Sequence, residues 1–325
     1  MRARRSSVCA GVLVGTFFGL ATSPVAQATF PGRNGEIVFS LSRSTGGGET
    51  DESCSTPTCS DQRLYALGPR GRSVRRIPTC GRLCDDSEAA VDRRGQRLVF
   101  ERVQYTAPGT LENPVFLFGI ANRDGSGAQT INQSGTVPTW APSGERFAFE
   151  DRPTPRAPTE IYIYDERQGA AHRLTVREGW GPDWSARNRI AFSRPLFRAG
   201  HFVGRYGLYS IRPDGRARRL VTDVGTPVQP NWSPSGRYLV YTDLDRGREG
   251  IYTIRADGKH RRRLTKRSAM SPVWSPDGRR IAFVRSFRSI LVMNRDGSRL
   301  HPLYTARRTG AQSPLGRISW APRPR

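Results

Sequence analysis

Few residues in this chain combine a type and a spacing that could do chemistry. Cys54, Cys59, Cys80 and Cys84 stand in two close pairs, with four and three residues between partners. Two such pairs can oxidise to disulfides or hold zinc as four thiolates. An oxidising compartment disfavours free thiolates, so disulfides are expected, either as two local bridges or as two crosslinks. The histidines are at 172, 201, 260 and 301, and all but His201 fall in or beside expected strands, where a half-exposed ring is the ordinary reading. His201 lies in a longer variable segment with Arg198, Phe202 and Arg205, while Arg152 and Arg156 lie in a proline-rich one. Trp180 reads either as core packing or as channel lining. The chain shows no histidine cluster, zinc-binding helix motif, nucleophile elbow or phosphate-cradling glycine loop. No catalytic residue, metal or cofactor is therefore expected.

Composition bounds what could position these residues. Among 325 residues are 34 Gly and 24 Pro, a density of turn formers that argues against long helices. The formal charge of +24 suggests a nucleic-acid binder if taken alone. Of the 52 basic residues, however, only Lys259 and Lys266 are lysine, and the arginines are spread through every segment without a basic run. That scatter argues against a nucleic-acid footprint and for a solvated basic surface near anionic envelope polymers.

Residues 1–28 read as a signal peptide. Arg2, Arg4 and Arg5 precede an apolar stretch from Val8 to Ala21, and Pro24-Val25-Ala26-Gln27-Ala28 is a small-residue cleavage pattern. The apolar stretch is shorter than the roughly 20 residues a spanning helix needs, and no other segment could span. Residues 29–325 are then expected as one exported domain, placed in the periplasm, the cell wall or outside the cell.

That domain is built of repeats. Pro272-Val273-Trp274-Ser275-Pro276-Asp277-Gly278 is followed by Ile281-Ala282-Phe283, and related copies centre on Trp232, Trp184 and Trp140, with a degenerate one at Val91. Anchors 91, 140, 184, 232 and 274 are 49, 44, 48 and 42 residues apart. In each copy Pro and Gly set a tight hairpin, with Asn188 standing in for Gly in one of them. Apolar runs such as Ile281-Ala282-Phe283-Val284 read as buried strands. A second turn follows, as in Asp257-Gly258 and Asp296-Gly297. Four strands per repeat make one propeller blade.

The two ends complete each other. Arg317-Ile318-Ser319-Trp320 supplies a first strand with no second, and Glu36-Ile37-Val38-Phe39 a second with no first. Pairing them gives an all-β, six-bladed propeller without exposed sheet edges.

The Pro-x-Trp-Ser-Pro-Asp-Gly core, the aromatic second strand, the Ile-Tyr third strand, the Asp-Gly turn and the closing Leu-Thr resemble the TolB-type propellers, built of WD-repeat-like units. The resemblance covers roughly residues 30 to 322 and implies a propeller without the α/β domain that precedes it in TolB itself. A fold of this kind supplies a scaffold and a compartment, and function must be argued from its sites.

In such a blade the loops after strand two and between blades share one face. There the segments 43–60, 152–159 and 195–206 differ from blade to blade, whereas the hairpins of the other face are expected to be short and uniform. Binding concentrates in variable loops on rigid scaffolds. The favoured reading is a monomeric, non-enzymatic scaffold that binds an envelope protein or an anionic cell-wall polymer through Arg152, Arg156, Trp180, Arg198, His201, Phe202 and Arg205. The alternative is an extracellular polysaccharide lyase or hydrolase with its site in the central channel near His201. A sensor or gate working with a separately encoded peptidase or membrane protein is a third reading.

Overall fold

A computed structural model describes residues 30–44, 60–81, 84–105, 114–154, 157–175, 178–199, 201–306 and 315–324. The expected signal peptide and residues Cys54, Cys59 and Arg156 lie outside them. Every regular element among the described residues is a strand. No helix among them is long and apolar enough to cross a membrane.

The strands assemble into six antiparallel sheets of four. The first blade holds β1 (Asn34–Ser44), β2 (Ser60–Leu67) and β3 (Val74–Ile77). The second runs through β4 (Cys84–Val91), β5 (Arg97–Gln104), β6 (Val115–Asn122) and β7 (Gln129–Ile131). The third comprises β8 (Thr136–Trp140), β9 (Arg146–Asp151), β10 (Glu160–Asp165) and β11 (Ala170–Arg173). The fourth has β12 (Trp180–Trp184), β13 (Ile190–Arg198), β14 (His201–Ile211) and β15 (Arg219–Thr222). The fifth is made of β16 (Pro227–Trp232), β17 (Tyr238–Asp243), β18 (Gly250–Arg255) and β19 (Arg262–Arg263). The sixth contains β20 (Met270–Trp274), β21 (Arg280–Arg285), β22 (Ser289–Asn294) and β23 (His301–Thr305). Finally β24 (Leu315–Pro322) returns to pair with β1, where Phe39 faces Ile318 and Ile37 faces Trp320. The ring is thus closed by both chain ends, as the repeat required.

The turn chemistry is the one the sequence anticipates. Gly95, Gly144, Gly236 and Gly278 have φ between 64° and 76°, and Asn188 takes φ 57° at the equivalent place. Asn188 also accepts the indole N–H of Trp184 at 2.9 Å, so its side chain does work a glycine could not. The closing Leu-Thr has a reason too. Leu174 and Leu264 donate their backbone N–H to Ile161 and Ile251, and the hydroxyls of Thr175 and Thr265 accept the N–H of those same residues.

Hydrophobic clusters fill the space between blades. Trp140, Trp184 and Trp232 at the ends of the inner strands are completely enclosed. Burying side chains of this size removes 150–250 Å² of surface each, roughly 25 cal/mol per Å² of it apolar, which makes them principal contributors to the core.

Candidate functional site

All six inner strands carry a β-bulge at one position, and this is what shapes the centre of the ring. Glu88, Val137, Gly181, Gln229 and Ser271 occupy it with φ between 50° and 63°, and in the sixth strand the shift falls at Gly316 and Arg317, between Leu315 and Ile318. At three of these bulges a backbone N–H turns away from its own ladder and a side chain of the preceding blade accepts it, while the Arg317 N–H reaches Glu88 of the following blade at 3.4 Å. Val137 donates to Glu101 at 2.6 Å, Gly181 to Glu150 at 2.7 Å and Ser271 to Gln229 at 2.8 Å.

A second set of staples lies deeper, at the residue before each tryptophan. The N–H of Trp184 is accepted by Thr139, that of Trp232 by Asp183 and that of Trp274 by Asn231. Where these bonds form, blade joins blade by a polar side chain meeting an otherwise unsatisfied donor, which is how buried backbone groups are accommodated.

The centre is electrostatically lopsided. Glu88, Glu101, Glu150 and Arg317 cluster on the side of blades one to three, while the equivalent places of blades four to six hold Gly181, Ser193, Gln229, Thr242, Ser271 and Val284. Arg317 is wholly buried, and burial lowers its pKa to about 10 against the opposing pull of the carboxylates of Glu88, Asp183, Glu150 and Glu101. Burial raises Glu101 to about 8, with the charge of Glu88 adding to the effect, and raises Glu150 to about 7. Burial likewise raises Glu88 and lifts Asp183 well above the ordinary range. Carboxyls that titrate near neutrality inside a protein can hold or release a proton at working pH. Among the described residues no group of three His, Cys, Asp or Glu is placed to hold a metal ion.

The segment around His201 differs from its expected form. It is no loop: β13 and β14 run on past the four-stranded sheet as a two-stranded ribbon, with Phe197 opposite Phe202 and Arg198 opposite His201. Alternating apolar residues on both arms favour continued pairing over a disordered loop. One face of the ribbon is a row of rings. Phe197 meets Phe202 at 6.1 Å, Phe202 meets Tyr206 at 5.6 Å, and Tyr206 meets Trp180 edge-to-face at 5.2 Å. Trp180 opens the inner strand β12, so the row joins the ribbon tip to the rim of the ring. Phe197 and Phe202 are 49% and 48% exposed, far more than rings in a closed core retain.

Of the residues singled out in the sequence, Trp180, Arg198, His201, Phe202 and Arg205 are brought together here. Arg198 and His201 are exposed at the tip. Arg205 instead ties the ribbon down, donating to the carbonyl of Asp223 at 2.8 Å. Arg152 lies in the neighbouring blade and bonds Thr159 across its own loop. Cys80 and Cys84 form a local disulfide where blade one passes into blade two. Sequence reading missed Glu88, Glu101, Glu150 and Arg317. The available signal was the residue after the second-strand aromatic, which is Glu in two copies and Ser, Thr or Val in others.

On the hairpin face a cavity of about 790 Å³ opens between blades five and six.

Comparison with known proteins agrees with this geometry. The family model of the TolB beta propeller domain matches residues 95–318. No curated protein sequence matches significantly. Among solved structures, TolB from Acinetobacter baumannii superposes with a TM-score of 0.67 at 16% identity, covering 89% of this chain and 67% of that one. A putative TolB from Agrobacterium tumefaciens gives 0.59 at 15% identity over 89% of this chain and 99% of its own. Hydrazine synthase from Kuenenia stuttgartiensis gives 0.65 at 13% identity over 91% of this chain and 48% of that one. Identities this low speak to fold alone.

Proposed function

Since the chain belongs to the TolB beta propeller domain family, we propose that it is an exported, non-enzymatic binding scaffold whose loop face docks an envelope protein. The observation that carries this reading is the exposed aromatic ribbon of blade four. Rings presented on a rigid element, with arginine beside them, have the composition of interface hot spots. Phe197 and Phe202 are solvated in the isolated chain, so a partner that covered them would gain from their burial. The anchoring of Arg205 and the packing of Tyr206 on Trp180 hold the ribbon in place before any partner arrives, which limits the ordering cost of binding. Export is supported by the leader-like residues 1–28 and by the Cys80–Cys84 disulfide.

A second reading, an extracellular polysaccharide lyase or hydrolase, is favoured by Glu101 and Glu150, whose carboxyls titrate near neutrality as a general acid or base must. One set of variants separates the two. Phe197→Ser/Phe202→Ser should abolish capture of one identified envelope protein, and its rebinding in purified form, while melting as the parent does. Glu101→Gln should leave capture intact. Polysaccharide turnover by the parent that Glu101→Gln removes would replace the scaffold reading by the enzyme.

A further inference from the structure

The geometry points to a second binding site, on the hairpin face opposite the aromatic ribbon, and we propose that it takes an acidic oligosaccharide. The cavity there, about 790 Å³, is formed where the turns of blade five meet those of blade six. Three arginines line it, Arg237, Arg262 and Arg295, and His260 stands among them. Their guanidinium groups make no hydrogen bond or ion pair among the described residues, so their donors, five on each, are free for a ligand.

The two acids in the same wall are differently placed. Asp277 accepts Ser275 Oγ at 2.6 Å, the Arg279 N–H at 3.0 Å and Asn34 Nδ2 at 3.0 Å. Asp296 accepts both the hydroxyl and the N–H of Ser298, and these bonds hold its pKa below the ordinary value. Both carboxylates are therefore engaged in building their turns. Accepting these bonds leaves the carboxylates charged, and Asp296 also feels the charge of Arg262, so the wall sets three arginines against two acids and keeps a positive excess.

The remaining wall decides the class of anion. Pro31 and the half-exposed ring of Tyr238 give it apolar faces over the buried Pro234, Pro276 and Trp274, and Ser235 adds an exposed hydroxyl. Apolar faces of this kind suit the C–H faces of sugar rings, and hydroxyls and guanidinium groups suit their oxygens and acid groups. A nucleic-acid strand would call for successive aromatic platforms, whereas here Trp274 is buried and Tyr238 and His260 are the exposed rings. This inference shares with the proposed function only the address outside the cytoplasm. It does not depend on the ribbon.

The test is titration of the purified chain with a hexauronate, a phosphorylated maltohexaose, neutral maltohexaose and a single-stranded oligonucleotide at 150 mM salt. Arg237→Gln/Arg262→Gln/Arg295→Gln is compared with Arg216→Gln/Arg218→Gln/Arg219→Gln, which removes the same charge from the hairpin side of blade four. The expected result is saturable binding of an acidic hexasaccharide but not of the neutral one. The cavity variant should weaken it at least tenfold and the control variant less than threefold. Preference between the uronate and the phosphate arm identifies the acid group. Equal loss in both variants would attribute binding to the overall field of a highly basic protein and overturn the site. So would tighter binding of the oligonucleotide, or no preference over neutral sugar. Phe197→Ser/Phe202→Ser, in contrast, should bind the hexasaccharide as the parent does, so failure of the ribbon reading and failure of this one are separable.

Discussion

At the scale of residues, the fold places carboxyls where water would ordinarily be needed to keep them ionised. Glu101 and Glu150 carry pKa values raised from 4.5 to about 8 and about 7. A carboxyl with its folded pKa above its unfolded one binds its proton more tightly in the fold. Its contribution to stability is complete below about pH 4.5 and is lost as pH rises through the folded values. The melting temperature should therefore decline between pH 5 and pH 8.5. Glu101→Gln, whose amide oxygen can still accept the Val137 N–H, should flatten that decline. A midpoint that climbs with pH in scanning calorimetry would contradict the assignment. Asp183 makes a different demand, since it accepts the Trp232 N–H at 2.6 Å and is reached by Asn231 Nδ2 at 3.3 Å. Asp183→Ala leaves a buried N–H without an acceptor and should cost about 1–3 kcal/mol in denaturant unfolding.

At the scale of elements, turns and inner strands were legible because their cause is local. Gly at the left-handed position and an apolar run after it can be read from five or six residues. Asn188 tests how complete that reading is. Asn188→Gly preserves the turn and loses only the bond from Trp184, whereas Asn188→Ala also strains φ, so the first should cost about 1 kcal/mol and the second about 2 kcal/mol. Equal stabilities in urea would show that the indole bond contributes nothing. What was not legible depended on partners distant in sequence. The bulge in each inner strand, and the Glu101 and Glu150 acceptors that answer it, become visible only when neighbouring blades are in place. The ribbon is not legible for another reason: Gly204, at φ 72°, sits in a register shift between the Pro195–Tyr206 and Phe197–Phe202 pairs, and pairing resumes beyond it. Arg198, His201 and Phe202, which the sequence singles out, lie at the tip of that ribbon.

At the scale of the whole molecule, the ring has two unlike faces, one with an aromatic ribbon and one with an arginine-lined cleft. Both depend on closure. β24 sets Leu315, Ile318 and Trp320 into the core between the first and last blades and delivers Arg317 to the centre. Inner strands contact one another in the order β24, β4, β8, β12, β16, β20 and back to β24, so removing one opens the circle. The most direct measurement is the thermal melt of a chain lacking residues 315–325. Losing three large buried side chains, at roughly 2 kcal/mol or more apiece, and the ladder to β1 should lower the midpoint by about 10 °C or more and broaden the transition. A truncated chain that melts as one sharp transition at the parent's temperature would contradict closure, and with it the placement of every site described above.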